Sequence, residues 1–102
     1  MIAISATDKK LTAQMDLRFG RAPYFYISNG EESRFIVNPY CHEENDVAPR
    51  VVQMLADEKV DKIITGEIGP KAHNSLQKSN IQIIMLEEER IKINQILKKI
   101  SS

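Results

Sequence analysis

Cysteine is nearly missing from this chain: Cys41 stands alone among 102 residues. That excludes an internal disulfide and any all-cysteine metal site built within one chain. Neither sign of charge is in excess, because fourteen Lys and Arg face fourteen Asp and Glu. No global field therefore draws the molecule to nucleic acid or to an anionic membrane surface. No apolar run approaches the roughly 20 residues that a membrane-spanning helix needs. Met1-Ile2-Ala3-Ile4 lacks the basic flank and cleavage site of a leader peptide. These absences predict a cytoplasmic protein with no nucleic-acid or membrane partner. Repeats, low-complexity tracts and dividing linkers are lacking too, so residues 1–102 are expected to form a single domain. There is no Walker loop, nucleophile elbow or dinucleotide fingerprint, and the first strand carries no carboxylate to begin a two-metal site. The expectation is a protein that is not an enzyme.

What is present reads as an α/β domain. Ile2 to Ile4 is a short β-branched run, the mark of a buried strand. Residues 6–21 keep no period and hold Asp8, Lys9, Lys10, Asp16, Arg18 and Arg21, so they predict a long loop, a feature that is often functional. Tyr24 to Ile27 and Phe35 to Val37 predict two strands. Asn29-Gly30 between them signals a hairpin with a type I′ turn, and Asn38-Pro39 ends the second of the pair. Asp46 is a candidate cap for a helix to about residue 58, with Ala48, Val51, Val52, Leu55 and Ala56 on its apolar face. Lys62 to Thr65 predicts a fourth strand, and Gly69-Pro70 opens a second helix with Ala72 and Leu76 inward. Ile81 to Leu86 predicts the last strand. Glu87, Glu88 and Glu89 suit the start of a third helix and Lys98 and Lys99 its end, with Ile93, Ile96, Leu97 and Ile100 as its buried stripe.

Strand–helix–strand crossovers make their strands parallel, so the third, fourth and fifth strands point one way. With the first strand among them, the second is the sole antiparallel member. The segments 6–21, 38–46 and 66–70 then leave one edge of the sheet, the carboxyl edge where open α/β sheets hold their ligands.

Four segments carry a family resemblance: Met1-Ile2-Ala3-Ile4, Arg18-Phe19-Gly20-Arg21-Ala22-Pro23-Tyr24-Phe25, Asn38-Pro39 and Gly66-Glu67-Ile68-Gly69-Pro70-Lys71-Ala72. In register along the whole chain, they resemble the nitrogenase iron–molybdenum cofactor biosynthesis family. The resemblance implies a ribonuclease-H-like fold: a five-stranded mixed sheet with one antiparallel strand, flanked by helices. It also implies binding or transient carriage of an iron–sulfur or iron–molybdenum type cluster in metallocluster biosynthesis, with cluster donor or acceptor proteins as partners. Residues 41–46 read Cys-His-Glu-Glu-Asn-Asp where the family commonly has a glycine-rich stretch, which favours cluster carriage in general over nitrogenase maturation in particular.

The residues themselves suggest how such a guest is held. Cys41-His42 is the one adjacent pair of transition-metal ligands, a thiolate and an imidazole that both suit iron and zinc; an ordinary surface loop is the competing reading. Metal–sulfur clusters are commonly anionic, and the helix start at Gly69-Pro70 offers unpaired N–H groups and a positive dipole end. Gly66 and Gly69 permit close backbone approach, although turn geometry alone also explains them. Arg18 and Arg21 add charge, with a solvated loop or structural ion pairs as the competing reading, and the resembling motifs add Gly20 and Lys71. His73 is expected on a helix surface, Tyr24, Phe25, Tyr26 and Phe35 in sheet packing, and Met54 and Met85 as core filler. The alternative is a regulatory module that binds a small anion or a protein through the same edge, with Cys41 irrelevant. A dimer would supply two Cys41 thiolates, but the oligomeric state is not legible.

Overall fold

A computed structural model describes residues 1–43 and 47–101. The strands are β1 (Ile2–Ala6), β2 (Tyr24–Ser28), β3 (Ser33–Val37), β4 (Lys62–Thr65) and β5 (Gln82–Met85). The helices are α1 (Val47–Asp57), α2 (Pro70–Lys78) and α3 (Ile93–Ser101). They form one five-stranded sheet in the order β3-β2-β1-β4-β5. β1 pairs antiparallel with β2 and parallel with β4, while β2–β3 is antiparallel and β4–β5 parallel. The expected mixed sheet with β2 as its sole antiparallel strand is therefore present. No helix among the described residues is long and apolar enough to cross a membrane.

Side chains alternate between two cores, as the period of a strand requires. On one face Ala3, Phe25, Ile27 and Ile63 pack with Val51, Val52 and Leu55 of α1 and Ala72 and Leu76 of α2. On the other, Ile4, Tyr26 and Ile64 pack with Ile93 and Ile96 of α3. Phe25 and Leu55 have no exposed surface, and burying a side chain of that size contributes about 1.5–3 kcal/mol. Met54 joins the first core from its margin. Met85, expected in the core, is 47% exposed, because β5 is the sheet's edge strand and Met85 is its last residue.

α1 and α2 end by the same device. Lys59 and Asn80 adopt positive φ (67° and 57°). Val60 N–H then donates to Leu55 O and Ile81 N–H to Leu76 O, at 3.1 and 2.9 Å. These are Schellman closures, which satisfy carbonyls that the helix end would orphan. The residue after each, Val60 or Ile81, is buried in the same core as Leu55 and Leu76, so the turn that stops the helix also aims the chain into the next strand.

Three expectations need correction or restriction. The hairpin is real, but its turn is not type I′. Ser28 pairs with Ser33 across a four-residue loop, in which Gly30 alone has positive φ (95°). Asn29 Oδ1 accepts the N–H groups of Glu31 and Glu32 at 2.9 and 2.7 Å, the Asx habit that suits asparagine to turns. Glu87–Glu89 do not open the third helix. Arg90 turns the chain at φ 63° and α3 begins at Ile93 with no acidic residue in its first turn. Its start is held by Gln95, whose Oε1 accepts from Lys92 N–H at 2.9 Å, one half of a capping box. Glu88 pairs instead with Lys99, near the other end of α3. The Asp46 cap lies outside the described residues.

Candidate functional site

At the carboxyl edge of the sheet, the long segment after β1 is tied down at several points. Ala6 bridges Met15 and Gln14 bridges Lys92. The backbone of Asp16 exchanges bonds with Ser5: Asp16 N–H donates to Ser5 O at 2.8 Å and Ser5 Oγ to Asp16 O at 2.6 Å. The Asp16 side chain is 6% exposed. Its carboxylate accepts from the backbone N–H, Nε and Nη2 of Arg18 at 2.9, 3.3 and 3.3 Å. A guanidinium held by a two-point fork is directed as well as charged. The hydrogen bond and charge of Asp16 raise the Arg18 pKa above its ordinary value, with smaller upward contributions from Glu67 and from Cys41. Asp16 carried no signal in the sequence, because its burial depends on Ser5, eleven residues away.

Gly66 meets this segment at the end of β4. A Cβ there would lie 2.6 Å from Leu17 Cδ2 and 2.9 Å from Leu17 Cα. Arg18 then bridges Glu67 in parallel, with Phe19 N–H donating to Glu67 O at 3.2 Å. The close approach expected of Gly66 thus serves Leu17, and Gly66 is not among the residues that line the cleft described next.

That cleft, about 480 Å³, lies between Arg18–Arg21, the segment Glu67–Ala72 and the first residues of α1. Arg18, Gly20, Arg21, Gly69 and Lys71, five of the six expected holding residues, line it. Gly69 leaves open space where a Cβ would point. It caps α2 in an extended conformation without a side-chain bond, followed by Pro70 in the first turn. Lys71 and Ala72 therefore begin α2 with N–H groups that precede any intrahelical acceptor. Val47 and Ala48 bring the start of α1 to the same cleft, so the positive ends of two helix dipoles converge there. The sequence reading predicted α1 and did not bring its start to the site, although the topology requires it: helices leaving the parallel strands β3 and β4 must both begin at this edge. Gly20 allows the approach, since a Cβ there would already touch Val47 Cγ1 at 3.3 Å.

Cys41 and His42 lie beside the cleft and do not line it. Cys41 is half-buried and His42 exposed. Arg21 Nη1 donates to the carbonyls of Cys41, at 3.3 Å, and Glu43. Glu43 also pairs with Arg50 of α1 at 2.7 Å. Arg21, which lines the cleft, therefore also clasps the turn that carries Cys41. Asn38, 1% exposed, holds the base of that turn. Its Nδ2 donates to Gly20 O and Ala22 O at 3.1 and 2.8 Å, and its Oδ1 accepts from Tyr40 N–H at 3.1 Å. Among the described residues, no group of three or more His, Cys, Asp or Glu is placed to hold a metal ion. His73 is exposed on α2 and the aromatic residues pack the sheet, Tyr26 meeting Phe35 edge-on at 5.2 Å.

The sequence profile of the dinitrogenase iron-molybdenum cofactor family matches residues 1–102. The chain belongs to that family. No curated protein sequence matches it. Among solved structures, the family chain is similar to the apo form of the orange protein from Desulfovibrio gigas, with 25% identity and a TM-score of 0.89 over 98% of this chain and 85% of that one. A NifB-like Thermotoga protein of the DUF35 family is 22% identical with a TM-score of 0.82, over 98% of this chain and 85% of that one. The second likeness shows the shared fold.

Proposed function

We propose that this protein binds and transiently carries an anionic metal–sulfur cluster, of the iron–sulfur or iron–molybdenum kind, in the cleft between the starts of α1 and α2. It performs no catalysis of its own. Its place is the cytoplasm, between cluster donor and acceptor proteins, on a sheet of the ribonuclease-H-like kind. Membership of a family described by the iron–molybdenum cofactor supports a cluster as the guest. So does likeness to the orange protein, for which an apo form is a described state.

The observation that carries the reading is convergence: two helix starts with Arg18, Arg21 and Lys71 around one cleft. N–H groups at a helix start favour bound anions, and Lys71 adds attraction that salt weakens, while Asp16 offsets the Arg18 charge and Arg21 directs its guanidinium at the Cys41 and Glu43 carbonyls. Phe19, Val47 and Pro70 make the remaining wall apolar, which suits a large guest whose sulfides are poorly hydrated. The residues fit a guest held by hydrogen bonds and charge. They do not fit a resident cluster with four thiolate ligands, since one chain has only Cys41. Arg21, which lines the cleft, reaches the Cys41 carbonyl at 3.3 Å, so Cys41, with His42 on the next residue, is available at the rim as an auxiliary ligand. A carrier that must release its load needs no complete ligand set.

Anaerobic reconstitution with iron and sulfide, followed by absorbance and metal analysis, tests this. Wild-type protein is expected to hold cluster iron, and Cys41→Ala with His42→Ala to hold it more weakly. A full load on the double variant would remove both side chains from the site while leaving the cleft. No uptake by either protein would remove cluster carriage. The same cleft would then be that of a regulatory module for a small anion or a protein partner, a reading favoured by the lack of a three-ligand group among the described residues.

A further inference from the structure

Glu67 contradicts its surroundings. It is the one carboxylate among the described residues lining the cleft, against Arg18, Arg21 and Lys71. Arg18 does not need it as a partner, because Asp16 already holds that guanidinium at 3.3 Å through both Nε and Nη2. Glu67 forms no ion pair among the described residues, and its side chain is exposed. Nor can it drift away with a mobile loop. Its N–H donates to Leu17 O, its carbonyl accepts from Phe19 N–H, and Gly66 before it is wedged against Leu17. The Glu67 backbone is thus fixed at the border between this cleft and a neighbouring hollow lined by Arg18 and Arg90, its carboxylate close enough for Arg18 to feel it.

We infer that Glu67 is a built-in counter-anion that limits how tightly the cleft holds its guest. This rests on the reading of the cleft as an anion site. A fixed like charge repels a bound anion in proportion to the guest's charge and less strongly in salt. Affinity given up in this way favours release, which a carrier requires. Discrimination among guests follows too: repulsion acts more strongly on a dianion than on a monoanion of the same shape.

Calorimetric titration of the full chain with molybdate, a simple dianion, tests the inference at low and high ionic strength. Glu67→Gln is expected to bind roughly three- to tenfold more tightly than wild type at low salt, with the gain shrinking as salt is added. Glu67→Asp, which keeps the charge, should stay near wild type, an outcome that a purely structural role for the side chain would not produce. Lys71→Gln should shift affinity the opposite way. If Glu67→Gln fails to fold by circular dichroism, Glu67→Ser replaces it. Binding by Glu67→Gln where wild type shows none would also support the inference. Equal or weaker binding by Glu67→Gln, with wild type binding normally, overturns it and leaves the anion site intact. No binding by any of the proteins overturns both.

Discussion

The two edges of the sheet are built on opposite plans. At the amino edge the connections are short and turn through local hydrogen bonds: the Asn29–Glu32 loop through Asn29 Oδ1, and the ends of α1 and α2 through Schellman turns. At the carboxyl edge the connections are long, and their polar groups are satisfied at a distance. Ser5 meets Asp16, Asn38 meets Gly20 and Ala22, and Arg21 meets Cys41 and Glu43. The amino edge even has the larger hollow, about 600 Å³ against about 480 Å³. Its lining also carries more positive than negative groups, the N-terminal ammonium, Lys62 and Lys98 against Asp61, with which the ammonium pairs at 3.2 Å. Neither size nor net charge therefore chooses the site. Helices that follow parallel strands start at the carboxyl edge and end at the amino edge, so only one edge collects N–H groups and positive dipole ends.

If that contrast is correct, substitutions at the two edges should differ in kind. Asn38→Ala should have the largest effect, because it deprives Gly20 O, Ala22 O and Tyr40 N–H of their partner at a buried point. About 3 kcal/mol of stability should be lost, measurable by urea denaturation, and Cys41 should become more reactive toward a thiol reagent. Gly66→Ala forces Leu17 to move and should cost about 1–3 kcal/mol, loosening Arg18 as well. At the amino edge Gly30→Ala meets no atom within 4 Å. It should cost only about 1 kcal/mol for its positive φ and leave guest binding untouched. Gly69→Ala sharpens the comparison most. Its backbone suits alanine, so stability should fall by only about 0.5–1 kcal/mol for the poorer cap, yet a methyl group added at the cleft should reduce guest affinity. If Gly30→Ala altered binding, or Gly69→Ala left it unchanged, the two edges would not divide stability from function in this way.

Much of the fold was legible because its signals are local. Alternating or β-branched runs marked the strands, Asn38-Pro39 stopped β3, and Gly69-Pro70 started α2 where expected. The misreadings share one physical cause, a local pattern that imitates another. Glu87–Glu89 look like the acidic opening of a helix, whereas the true start is secured by Gln95 reaching back to Lys92, which no conventional cap residue announces. Lys59 and Asn80 end helices without the glycine that signals such an end, since the buried contacts of Val60 and Ile81 favour the turn. At the candidate site, charge and glycine placement pointed to the edge where the cleft lies. What could not be read there depends on long-range partners: the burial of Asp16, the wedge of Leu17 against Gly66, the arrival of α1, and the position of Cys41 and His42 beside the cleft.

The most direct test is the amide spectrum of isotope-labelled protein before and after anaerobic loading with an iron–sulfur cluster, whose iron broadens nearby signals. The account predicts that Phe19–Arg21, Gly69, Lys71 and Ala72 lose intensity first, while Asn29, Gly30 and Lys62 at the far edge stay sharp. Broadening centred on Ile2, Gly30 and Lys62, or spread evenly over the sheet, would contradict it.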